Sequence, residues 1–93
     1  MKKTNGINKV KIGDLVIVSW EDASGVSEWL THEEAMEYKP SPTNTVGWII
    51  SKEKTHITLA CTINLDQIAK SDYSELVCLP IGMITKIELI MEK

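Results

Sequence analysis

The sequence predicts a mainly β domain, a five-stranded small β-barrel with one short α-helix inserted between strands 1 and 2. Three observations carry that prediction. β-Branched and apolar residues alternate with polar ones in several short runs, the pattern of strands with one buried face. Only one stretch has a helix signature, and it follows the first strand. The runs are separated by Gly, Pro, Asp and Ser clusters that favour turns.

Residues 9–20, KVKIGDLVIVSW, place Val10, Ile12, Val16, Val18 and Trp20 at mostly even spacing, and Gly13-Asp14 sets the start of the strand proper near residue 15. After EDASG, the stretch THEEAMEY carries a capping box, with Thr31 followed three residues later by Glu34. Lys39-Pro40-Ser41-Pro42 ends this helix, since a residue before proline is pushed out of helical geometry. Two turns of helix are too short to stand alone in water, so the helix is expected to lie on the barrel. Residues 45–52 and 56–63 are separated by the polar link Glu53-Lys54-Thr55 and read as a hairpin. Residues 64–74 are a longer polar connection, 75–80 a fourth strand stopped by Pro80, and 83–90 a fifth. This order matches a Src-homology-type or Sm-type barrel better than a sandwich, which needs about seven strands.

A chain of 93 residues has room for one core, so residues 1–93 read as a single domain with residues 1–8 a flexible tail. Its hydrophobic share of 43% and charged share of 25% are those of a globular protein. So short a chain buries only about 60–65% of its unfolded surface, which favours self-association as a supplement to stability. A homo-oligomer is therefore expected, with Ile49 and its hairpin neighbours as a shared sheet edge.

The net charge of −3 and the absence of Arg argue against DNA as a partner, because that affinity comes from clustered Lys and Arg. No apolar run is long enough for a signal peptide or a membrane span, so a cytoplasmic location is expected. Cys61 and Cys78 stand singly in apolar segments and read as buried, reduced thiols. His32 and His56 share no ligand spacing with them, so no metal or other cofactor is expected. With no glycine-flanked nucleophile and no Gly-rich phosphate loop, the chain reads as a non-enzyme.

The runs VSWEDASG, SEWLTHEEAMEY, VGWIISKEKTHITLA and LVCLPIGMITKIELI give the chain a resemblance to small proteins of unassigned activity encoded by bacteriophages and prophages. The resemblance covers about residues 12–90. It implies an accessory protein acting in the cytoplasm of a bacterial host, with anti-defence as one such role. The turn before the last strand, Leu79-Pro80-Ile81-Gly82, departs from the pattern in lacking a Lys after the Pro.

Trp20, Trp29 and Trp48 are three of five aromatics in a chain without Phe, and an indole N–H asks for a partner when buried. Trp20 and Trp48 read either as core residues facing the helix, with Trp29 closing the seam, or as walls of a groove that stacks on a planar ligand. Asp22 and Ser24 lie in the turn beside them, so the ligand-binding candidates are Trp20, Asp22, Ser24, Trp29 and Trp48. The first expectation is a binding module that sequesters a small molecule such as a nucleotide defence signal. The alternative is an adaptor or inhibitor that engages a host protein through Glu33, Glu34 and Tyr38, and an Sm-like RNA-binding ring is disfavoured by charge.

Overall fold

The computed structural model describes residues 5–64 and 72–93. Strands β1 (Leu15–Asp22), β2 (Ser41–Lys52), β3 (His56–Ile63), β4 (Tyr73–Pro80) and β5 (Ile84–Met91) form one antiparallel sheet in the order β4-β3-β2-β1-β5. The helix α1 (His32–Met36) lies between β1 and β2, as the sequence predicts. Single-turn 3-10 helices occupy Ile7–Lys9 and Ile81–Met83. Most of the polar connection expected at 64–74, residues 65–71, lies outside the described residues, as do residues 1–4 of the expected tail.

Alternation decides which face is buried. Val16, Val18 and Trp20 of β1 share one face with Ile49 of β2, Ile57 and Leu59 of β3, Leu79 of β4, and Ile84 and Ile87 of β5, and these side chains form the core. Register shifts at Ile50, Thr85 and Ile90 add residues to β2 and β5 without partners, and such bulges increase twist and curl. Gly47 sits on the core face opposite Val16, where a Cβ would lie 2.8 Å from the Ala60 carbonyl oxygen, so only glycine lets β2 and β3 approach this closely.

The barrel expected from the sequence is not closed. β4 and β5 are the two sheet edges, and no ladder joins them. Only Ile81–Met83 separate Pro80 from Ile84, so the curled sheet brings its edges together at that end alone. Pro80 has no N–H to extend the pairing. Glu75 in β4 takes a left-handed conformation, with φ 55°, and the pairing of β3 with β4 skips it and Cys61. The edge available for self-pairing is therefore not at Ile49, which is fully buried in β2, the middle strand of the five.

The helix does not lie on the sheet. β1 and β2 continue as a two-stranded ladder to Asp22↔Ser41, past the last core contact at Trp20, and carry residues 23–40 away as an arm. None of the residues in α1 is buried. Both cysteines are exposed rather than buried. Cys78 pairs with Thr58 on the face away from the core, and Cys61 lies where the β3–β4 pairing lapses.

One carboxylate organises the end of the molecule opposite the arm. Asp14, 1% exposed, accepts from the Lys11 N–H at 2.9 Å and from the Lys93 N–H at 3.1 Å. The backbone bond from Lys11 holds its carboxyl below the ordinary value; burial opposes this, and the Lys93 N–H and the charges of Lys11 and Lys52 add to it. Lys52 Nζ donates to the Ile7 and Val10 carbonyls at 2.7 Å each, and Ile7 packs against the core.

Candidate functional site

The five sequence-predicted site residues do not converge. Trp20 points to the core face, where its Nε1–H donates to Thr45 Oγ1 at 2.9 Å. Trp48 pairs with Leu15, whose neighbours Val16 and Val18 face the core, so Trp48 lies on the opposite face of the sheet. The β2 partner of Trp20 is Thr43, five residues from Trp48, or about 17 Å along the strand. Neither indole faces the helix, because the helix is on the arm.

Asp22 ends β1 opposite Ser41, and Ser24 donates from Oγ to the Lys39 carbonyl at 2.7 Å. These two residues close the neck of the arm, and neither lines the small hollow at Trp20, which is bounded by Glu21, Pro42, Thr43 and Asn44. Beyond the neck the capping box is complete: the Thr31 hydroxyl accepts from the Glu34 N–H, and Glu34 Oε1 accepts from the Thr31 N–H at 2.9 Å. That backbone bond from Thr31 is the first cause holding the Glu34 carboxyl below its ordinary value. Every residue of the arm is exposed, so bonds within the arm, rather than burial, shape it.

Trp29 is at the arm's outermost exposure, 101% of its reference area, and Met36 is 71% exposed. Val26, Leu30 and Tyr38 are exposed beside them in the sequence. An isolated surface leucine needs no explanation, but a Trp, a Met and a Tyr uncovered on one short excursion do. The carboxylates Glu28, Glu33, Glu34 and Glu37 stand among them.

A second apolar surface surrounds Trp48. Direct register partners run Met91, Leu15, Trp48, Ala60, Leu76, which places an apolar row across all five strands on the face away from the core. Beside Trp48 and Met91 of this row is a concavity of about 390 Å³, bounded also by Ile12, Ile50, Ile63 and Tyr73, with Glu92 and Lys93 at its rim. Reading the sequence alone missed Met36 on the arm and Ile12, Tyr73 and Met91 at the concavity. Their positions depend on register between distant strands, which alternation within one strand does not reveal.

The fold and these surfaces define a small open-sheet β domain with an acidic arm that exposes apolar side chains and with an apolar concavity. Among the described residues no group of His, Cys, Asp and Glu is placed to hold a metal ion, and no helix is long and apolar enough to cross a membrane. Comparison with protein-family models, with curated proteins and with solved structures finds no match.

Proposed function

We propose that this chain is a non-enzymatic binding module that docks a protein surface onto its arm at residues 23–40. The single observation behind this is Trp29, fully exposed on an arm with no residue of its helix buried. Exposing Trp, Met and Tyr side chains to water is unfavourable by about 25 cal/mol per Å² of apolar surface, and covering them drives association. Trp and Tyr are also the residues that most often dominate binding energy at protein interfaces. The resemblance to phage-encoded accessory proteins supports a host protein as one such surface. A pull-down comparing the native chain with Trp29→Ser tests the reading: a stoichiometric partner retained by the first and lost by the second is expected. No partner on the native chain, a second copy of itself included, would overturn it.

A second reading, sequestration of a small planar ligand such as a nucleotide signal, is favoured by the concavity beside Trp48 and Tyr73, with the Lys93 ammonium available for an anionic group. Calorimetry against cyclic dinucleotides and adenosine–ribose signals tests it, and a flat trace for all of them removes it.

A further inference from the structure

The arm and the concavity are both uncovered, and they lie at opposite ends of the chain. Leu15, the partner of Trp48, and Asp22, at the neck of the arm, are seven residues apart in one strand, about 23 Å. The arm therefore extends away from its own concavity and does not cover it.

The two ends also differ in charge. The arm and its neck, residues 21–40, hold Glu21, Asp22, Glu28, Glu33, Glu34 and Glu37 against one cation, Lys39. At the other end stand Lys9, Lys11, Lys52, Lys54 and Lys93 against Asp14, Glu53, Asp72 and Glu92, and the Asp14 carboxylate is already engaged by the Lys11 and Lys93 N–H groups. Antiparallel alignment of two copies puts the acidic arm of each beside the basic end of the other.

Area points the same way. The five exposed apolar side chains of the arm offer on the order of 600 Å², at the upper end for one patch on a monomer. A standard interface takes about 800 Å² from each partner. The arm alone falls short of that, and a two-fold arrangement of identical chains narrows the gap by covering arm and concavity at once.

We propose that two copies exchange arms, each seating Trp29 in the other's concavity against Trp48 and Tyr73. This rests on the reading of the arm as a docking element and names its partner as a second copy of this chain. The exchange brings Trp29 and Trp48 together across the interface, in a pair that one chain does not assemble.

Sedimentation velocity on the full chain, from low micromolar to near-millimolar concentration, tests the exchange. A concentration-dependent dimer is expected, weakened at least tenfold by Trp29→Ser. Lys11→Glu/Lys93→Glu and Glu28→Lys/Glu37→Lys should each weaken self-association at low salt, and mixing the two variants should restore it as a heterodimer. Circular dichroism checks that each variant remains folded. A monomer at every concentration overturns the exchange, as does a dimer that all three variants leave unchanged. If the chain is monomeric while Trp29→Ser still loses a partner protein, docking by the arm stands and self-association falls.

Discussion

The Trp20 indole N–H donates to the Thr45 hydroxyl at 2.9 Å, between side chains on neighbouring strands of the core face. This bond explains how a half-buried Trp is accommodated where an aliphatic residue would need no partner. Trp20→Phe leaves the Thr45 hydroxyl without its donor and should cost about 0.5–1.5 kcal/mol in denaturant unfolding. In a Thr45→Val background the same change should cost less, because no polar group is then stranded. Equal costs in both backgrounds would show that the bond contributes nothing.

Stability and binding should separate cleanly between the sheet and the arm. Ile49→Ala removes a fully buried side chain and should lower unfolding free energy by about 2–5 kcal/mol. Trp29→Ser should change it by no more than about 0.5 kcal/mol, since the indole touches no core residue. A large loss of stability in the Trp29 variant would mean that the arm packs on the sheet in solution.

Acid should expose the role of Asp14. Its carboxyl is held below the ordinary value in the folded chain, so its contribution is fully present above the unfolded value and is lost as pH falls through the folded one. Stability of the native chain should therefore decline below about pH 4. Asp14→Asn should be less stable at neutral pH and show a shallower acid decline. Parallel pH profiles for the two chains would remove Asp14 from the acid response.

Both thiols are exposed. A thiol reagent added to the native protein should therefore modify both without denaturant, Cys61 more slowly because its Sγ donates to the Val46 carbonyl. Protection of either until unfolding would contradict its placement.

What the sequence made legible is what depends on near neighbours. The capping box at Thr31 and Glu34 is a three-residue relationship, and it forms as read. Alternation located all five strands, with β2 and β4 beginning earlier than expected, at Ser41 and Tyr73. The same alternation separates Trp20, in phase with Val16 and Val18, from Trp48, out of phase with Ile49; only the attraction of a shared helix suggested one cluster. The arm was illegible for another reason. A helix of this length is marginal alone, which argues for docking on the sheet, but the ladder to Asp22↔Ser41 and the Ser24 bond to Lys39 hold its base away from the core. The concavity depends on long-range register and the bulge at Ile50, and neither has a local signature.

Gly47 supplies a further check on the sheet. A Cβ here would lie 2.8 Å from the Ala60 carbonyl oxygen, so the backbone of β2 or β3 would have to shift. Gly47→Ala should cost about 1–3 kcal/mol as strands β2 and β3 are pushed apart. Chemical-shift changes should spread to Leu59 and Ala60, and an unperturbed β3 would contradict the close approach.

The left-handed Glu75 has a consequence for what the molecule avoids becoming. An open sheet with two raw edges is a template for endless strand addition, and a flat eight-residue β4 would propagate it. A residue at φ 55° breaks the straight run of backbone donors and acceptors at the third residue of the strand, and its carboxylate accepts from the Thr62 hydroxyl on the neighbouring strand. β4 is thus a poor acceptor for a foreign strand, so growth that begins on β5 has no matching surface on the other edge to continue from. The kink acts as a brake on fibre formation, fixed in the backbone at a single residue.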